Sequence, residues 1–216
     1  DNYMTEGFLA RGSYDYDNRY FANASIRRDA SSKFAPGHRW GTFWSAGLAW
    51  QMNKEDFLKN IKEINLLKLK ISYGENGNDM GMGWHAYADR FSTSYNKETQ
   101  EYSVSMVSKG NDELTWETKK SWNFGVDFSM FNYRLNGSVE VYTGTTSDLL
   151  WSKTLPLSSG LTVTSYPANV GKLRNSGIEV TLDGTIVKTK DLTWSLNMSL
   201  AHNKNEVLEL EESIRE

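Results

Sequence analysis

Large apolar residues and small or polar residues alternate with a period of two along much of this chain. Between positions 121 and 131, Trp122, Phe124, Val126, Phe128 and Met130 alternate with Ser121, Asn123, Gly125, Asp127 and Ser129. Successive side chains of a β-strand point to opposite faces, so such a segment has one apolar and one polar face. The next segment sets Leu135, Val139 and Val141 against Arg134, Asn136, Ser138 and Glu140. Residues 176–187 set Ile178, Val180, Leu182 and Ile186 against Glu179, Thr181, Asp183 and Thr185. Residues 191–201 set Leu192, Trp194, Leu196, Met198 and Leu200 against Thr193, Ser195, Asn197, Ser199 and Ala201. Leu67 to Tyr73 and Phe43 to Met52 alternate in the same way, and two further strands are expected near 4–17 and 19–30.

The connections carry a second signal. Tight links at 17–19, 132–133 and 188–190 alternate with long polar stretches near 31–40, 75–115, 145–175 and from 203 onward. The link from Asn53 to Asn65 is of medium length, and Glu55 to Lys59 is expected to form a short helix. Membrane barrels alternate short periplasmic turns with long extracellular loops, whereas a soluble sandwich has no need to. Several strands reach about 11–15 residues, and a tilted membrane strand needs about 9–11. Trp122, Trp151 and Trp194 are expected near strand ends, where interface girdles place aromatics. The reading is all-β: a fragment of a large antiparallel transmembrane β-barrel with about eight long strands. Residues 84–94 and 101–108 are expected to add a hairpin within one extracellular loop.

Composition changes this picture little. Three prolines among eight Trp and eleven Tyr suit long paired strands. A net charge of −3 argues against nucleic acid as a partner, because that needs a basic face. The absence of cysteine removes disulfides and thiolate metal sites. No apolar run is long enough for a transmembrane helix.

Several strings carry a resemblance. Arg39-Trp40-Gly41-Thr42-Phe43-Trp44-Ser45-Ala46-Gly47-Leu48-Ala49-Trp50 is similar to RWGxFPSxGLAW, with Trp44 where proline is commoner. Leu67 to Gly74, followed by Gly77-Asn78, is similar to LKLRxSYGxxGN. Leu114-Thr115-Trp116-Glu117 with Asn123 to Phe128 is similar to LxWExxxxxNxGxDF. Asp148-Leu149-Leu150, Asn169-Val170-Gly171, Asn175 to Glu179, and Asn203-Lys204-Asn205 follow in order as DLL, NVG, NxGIE and NKN. The series resembles the C-terminal barrel part of SusC/RagA-type TonB-dependent transporters over nearly the whole chain.

The resemblance implies a barrel of about 22 strands with a plugged lumen. It also implies a SusD-like surface lipoprotein as a lid, coupling to TonB through an N-terminal part, outer-membrane lipid around the wall, and oligosaccharide or peptide ligands. The expected location is the outer membrane of a Gram-negative bacterium. Residues 1–216 read as a partial barrel domain without plug or TonB box. Asp127, Arg134, Glu140, Glu179 and Asp183, with Lys68 and Lys70, are expected to face the lumen, since charges on the lipid face are costly.

Enzymatic chemistry is not expected. Glu179 and Asp183 share a strand face, but no apolar setting suggests a glycosidase acid. His38, His85 and His202 lack metal-ligand spacing, and no cofactor motif is found. Trp84, His85, Tyr87, Arg90, Phe91 and Tyr95 crowd the longest loop. They suit a platform for ligand or lid contact, because aromatic rings offer an apolar face with a polar edge. The plainer alternative is a hairpin packing its own aromatics. The rival folds are a soluble β-sandwich carbohydrate-binding module and a jelly-roll glycosidase.

Overall fold

The computed structural model describes residues 3–210. Twelve strands run in chain order: β1 (Thr5–Tyr16), β2 (Tyr20–Ser31), β3 (Trp40–Gln51), β4 (Ile64–Asn78), β5 (Arg90–Asn96) and β6 (Glu101–Ser108), then β7 (Glu117–Met130), β8 (Leu135–Ser147), β9 (Leu150–Thr154), β10 (Ser165–Asn169), β11 (Lys172–Lys188) and β12 (Thr193–Glu209). Eight form one sheet in the order β1-β2-β3-β4-β7-β8-β11-β12, every pair antiparallel. The other four make two hairpins, β5–β6 and β9–β10, inside the long connections. The expected eight-strand antiparallel wall is therefore present.

The turns at 17–19, 131–134 and 189–192 gather at one rim with the 52–63 connection, and the connections at 32–39, 79–116 and 148–171 gather at the other. Asp17 and Asn18 turn the first hairpin with φ of 52° and 50°, the left-handed pair that suits strand twist, and Asp15 Oδ1 accepts the Asn18 N–H at 2.9 Å.

Several expected boundaries shift. β12 continues through Asn203, Lys204, Asn205 and Glu206 to Glu209, where a loop was expected. β4, β8 and β11 likewise extend into the stretches expected to be polar loops. The apolar alternation stops where the band stops, while the backbone ladder continues beyond it. The loop hairpin begins at Arg90, so Trp84, His85 and Tyr87 lie in turns before it and not on a strand. No α-helix forms at Glu55 to Lys59, where a 3-10 turn at Met52–Lys54 leads into successive turns. Trp122 sits within β7 and Trp151 on the unexpected hairpin strand β9, while Trp194 does lie at the start of β12.

One hydrogen-bonded row crosses all eight strands: Tyr16, Tyr20, Trp50, Leu69, Val126, Val139, Val180 and Leu200. Every member is apolar or aromatic. On β1 the apolar positions continue from this row towards the long-loop rim, through Tyr14 to Phe8. On β12 they continue towards the short-turn rim, through Met198 and Leu196 to Trp194. The band thus runs obliquely across the rows, slipping about eight residues over the sheet, which corresponds to strands tilted by roughly 40°. A membrane barrel needs a tilt of that size.

The buried apolar residues lie almost entirely outside the wall. Phe34, Leu114 and Leu150 form a core at the long-loop rim, with Met82, Ala86 and Trp116 packed against it. On the wall itself Phe8, Leu48, Phe124, Trp194 and Leu200 are all at least half exposed. No second sheet covers their face among the described residues, so the sheet lacks the buried interface that a β-sandwich requires.

Candidate transport wall and loop surface

The polar face of the wall carries the charges. Lys70 Nζ lies 2.8 Å from Asp127 Oδ1 and 2.9 Å from Glu140 Oε1. Gly125 stands between Lys70 and Glu140 in the same row. A Cβ there would come within 2.9 Å of Lys70 Cε, so glycine lets the lysine lie across β7. Glu179 is the direct cross-strand partner of Glu140. Like charges opposite one another repel, and Lys70 offsets that on one side. Thr181 and Ser138 exchange a hydroxyl hydrogen bond of 2.8 Å beside them, and Asp183 stands opposite Asn136 and Asn197. Lys68 Nζ lies 4.4 Å from the centroid of the Phe21 ring.

Arg134 is placed differently from Asp127, Glu140, Glu179 and Asp183. It closes the turn before β8, and its Nε and Nη2 donate to the carbonyls of Thr185 and Ile186 at 3.3 and 2.8 Å. It therefore ties two short-turn ends together at the rim.

The opposite face ends in aromatics. Trp44, Tyr73 and Trp122 pack in a row across β3, β4 and β7, with ring centroids 4.7 and 4.8 Å apart. Near the short-turn rim Tyr16, Tyr20 and Trp50 form a second row at 6.4 Å spacings. Rings with an apolar body and a polar edge suit the two boundaries of a membrane.

The loop layer joins the strings that carry the resemblance into one fastening. Arg39 Nε donates to the Phe34 carbonyl at 3.1 Å, and the Trp116 indole donates to the Arg39 carbonyl at 2.9 Å. Glu117 accepts from Asn78 Nδ2 at 3.2 Å and from the Leu150 N–H at 3.3 Å. The Asn169 carboxamide accepts the Thr115 N–H at 2.9 Å and donates to the carbonyls of Thr115 and Asp148, each at 2.8 Å. Gly77 leaves space for the Phe43 ring, with which a side chain at that position would overlap. A buried polar knot adds to this layer. Asp79 accepts from Tyr3 at 2.8 Å and from Ser31 at 2.7 Å, while Lys33 Nζ donates to the Asp79 carbonyl at 2.9 Å.

The aromatic candidates fall into two groups. The rings of His85 and Tyr87 stack at 6.4 Å, with Trp84 half exposed before them. Phe91 and Tyr95 share one face of the β5–β6 hairpin with Tyr102, Val104 and Met106. The other face is a ladder of serine pairs, Ser92–Ser105 and Ser94–Ser103, at 3.0 and 2.6 Å. Tyr95 and Tyr102 pack at 4.8 Å, yet Tyr102 stays 77% and Phe91 58% exposed, so the hairpin does not bury its own aromatics. Arg90 opens β5 and is exposed. Tyr102, one of the aromatics that crowd this loop in the sequence, lies on this face, and Val104 completes it although the sequence alone did not single it out; its period-two spacing was the available signal. Asp89 stays exposed, and the Gly110 N–H donates to it at 2.8 Å and holds its carboxyl below the usual carboxylate range.

Comparison with known proteins agrees with this geometry. Residues 1–208 match the family model described as TonB dependent receptor-like, beta-barrel. The chain is 38% identical over 204 residues to TonB-dependent receptor P39 of Formosa agariphila, covering 93% of this chain and 19% of that protein. It is 33% identical over 208 residues to TonB-dependent receptor SusC of Bacteroides thetaiotaomicron, covering 94% of this chain and 21% of that protein. The chain thus spans about a fifth of the length of the curated relatives it matches. Among solved structures, the RagAB peptide transporter superposes with a TM-score of 0.88 at 30% identity, over 98% of this chain and 23% of that one. The copper transporter OprC, at 14% identity and a TM-score of 0.59, shares the fold alone. With nearly its whole length matched to the family model and its eight-stranded wall superposing on a solved member, this chain belongs to the TonB-dependent receptor β-barrel family, whose members are outer-membrane proteins.

Proposed function

We propose that this chain is a wall segment of an outer-membrane transporter that imports oligosaccharides or peptides by gated, non-enzymatic passage. A SusD-like surface lipoprotein covers the long-loop rim, and TonB drives the cycle through a part of the whole protein beyond this segment. The observation that carries the reading is the division of the sheet. One face bears an oblique apolar band edged by aromatics, and the other bears Lys70, Asp127, Glu140 and Glu179. Lipid accepts the first face, while a hydrated or plugged lumen accepts the second. Each strand is paired with its neighbours through the backbone, and the outer edges of β1 and β12 have no partner among the described residues, as expected of a segment of a closed wall.

The loop aromatics supply the contact surface in this reading. Trp84, His85, Tyr87, Arg90, Phe91 and Tyr95 stand at the long-loop rim, several with exposed rings. The relatives support this cargo class: one solved relative is a peptide transporter.

Two measurements on the full-length protein test this. Outer membranes run on a gel with and without boiling should show a band far larger than 24.6 kDa that shifts on boiling. A soluble species indifferent to boiling would move the reading to a binding module. Replacing Trp84 and Tyr87 with alanine should lower ligand uptake or lid binding with the boiling shift intact. Unchanged uptake and lid binding would remove these residues from the contact surface.

A further inference from the structure

The connection from β3 to β4 does not hang free below the wall. Glu55 Oε1 accepts from the Tyr20 hydroxyl at 2.7 Å and from the Trp50 indole N–H at 3.0 Å, and Glu55 Oε2 lies 3.6 Å from Arg19 Nη1. Tyr20 and Trp50 belong to the apolar outward row, so these bonds fold the connection onto the outward side of the short-turn rim. The Phe57 ring packs edge-on against Trp50 at 6.3 Å. The backbone then closes on itself in turns, with Lys59 N–H on the Glu55 carbonyl at 2.8 Å and Ile61 N–H on the Leu58 carbonyl at 3.0 Å. The backbone groups of Asp56, Phe57, Asn60 and Lys62 have no backbone partner and stay open to water or headgroups.

The neighbouring turn before β8 is fastened to it. The Phe131 N–H donates to the Glu63 carbonyl at 2.8 Å, and the Tyr133 N–H donates to Asn65 Oδ1 at 3.1 Å. Phe131, Asn132 and Tyr133 all have left-handed backbones, with φ of 56°, 57° and 61°. Bulky aromatic residues rarely adopt that conformation, and it persists only where the surroundings compensate. Both rings are exposed, Phe131 at 50% and Tyr133 at 64%, as are Phe57 at 61% and Ile61 at 41% on the fastened connection.

Water gives no return for four exposed apolar side chains on a strained turn. A lipid interface does, because it removes that apolar surface from water. We propose that residues 52–63 and the turn at 131–134 form a foot seated at the lipid headgroups of the short-turn rim, its backbone in the hydrated interface and the side chains of Phe57, Ile61, Phe131 and Tyr133 dipping towards the acyl chains. The proposal rests on the barrel reading above, because it extends the apolar outward face past the strand ends. The charges fit this occupant. Glu55 is taken up by Tyr20, Trp50 and Arg19, and Asp56 by Lys59 at 2.6 Å. Lys54 and Lys62 carry stems long enough to reach back to headgroup phosphates from such a depth, with Glu63 as the remaining acid of the segment.

The test uses the full-length transporter in phospholipid nanodiscs, with a sole cysteine introduced as F57C, Y133C or L48C and labelled with a nitroxide. Spin-label relaxation by oxygen, which partitions into lipid, is compared with relaxation by a water-soluble nickel complex. Labels at 57 and 133 should be relaxed by oxygen several-fold more than by nickel, approaching the label at 48 in the apolar band. Nickel-dominated labels at 57 and 133, with a lipid-like label at 48, would overturn the foot and leave the barrel standing. Labels at 57 and 133 shielded from both reagents would also overturn it, because protein then covers the rim. A water-exposed label at 48 would overturn the barrel reading itself.

Discussion

Lys70 Nζ and Glu140 Oε1 sit 2.9 Å apart across the bare backbone of Gly125. Two strands are thereby bridged over a third. The same ammonium reaches Asp127 at 2.8 Å, so one cation serves two carboxylates on a face that offers few other cations nearby.

Lys70→Met should therefore weaken the wall locally. Asp127 and Glu140 would lose their shared cation, and Glu140 would face Glu179 unrelieved. The three side chains are about one-third to one-half exposed, so solvent screening limits the cost to about 1 kcal/mol. The temperature of the gel shift on boiling, measured on the full-length protein, should fall by a few degrees. Gly125→Leu should produce a larger fall by displacing the lysine stem.

Glu55 predicts a pH dependence at the short-turn rim. The hydrogen bond from Tyr20, then that from Trp50 and the charge of Arg19, hold its carboxyl below the usual carboxylate range. A carboxyl depressed in the folded state stabilises that state fully above its unfolded pKa of about 4.3. The contribution is lost as pH falls through the lower folded value. Wild type should exceed Glu55→Gln in heat stability at pH 7, and the gap should close under acid. A gap independent of pH down to strongly acid conditions would contradict the assignment.

Leu114 is fully buried in the loop core with Phe34 and Leu150. Leu114→Ala should cost about 2–5 kcal/mol of loop packing. Because that core lies outside the wall, limited proteolysis between residues 79 and 116 should accelerate while the gel shift on boiling stays.

Gly77 and Phe43 form a size-matched pair on neighbouring strands. Gly77→Val should destabilise the long-loop end of the wall, since the new side chain meets the Phe43 ring. Shrinking the ring with Phe43→Ala in the same protein should recover part of the loss. Equal damage in the single and double variants would show that the ring is not the obstacle.

Residues 1–216 produced alone should aggregate in detergent-free buffer, because the outward row from Tyr16 to Leu200 meets water. A sharp monomer peak with cooperative melting would contradict the membrane reading.

The sequence by itself determined the wall. Period-two alternation is a local property of the backbone, so Trp122 to Met130 and Leu192 to Leu200 announce both strand and lipid-facing side without any partner. Its limit was the edge of the apolar band. Asn203 to Glu206 look like loop because their side chains alternate nothing apolar, yet their backbone is paired with β11. Only the tertiary structure decided what the polar stretches do. Phe34, Leu114 and Leu150 lie far apart along the chain and become a core only when three connections meet at one rim. Arg134 shares the alternation of the lumen residues, but the turn before β8 directs it onto two carbonyls. Glu55 looked like part of a short helix, and long-range bonds to Tyr20 and Trp50 instead hold it at the foot of the wall. Local alternation fixes which way a strand faces. The obliquity of the apolar band and the fastening of the loops come from register between strands, which no single segment encodes.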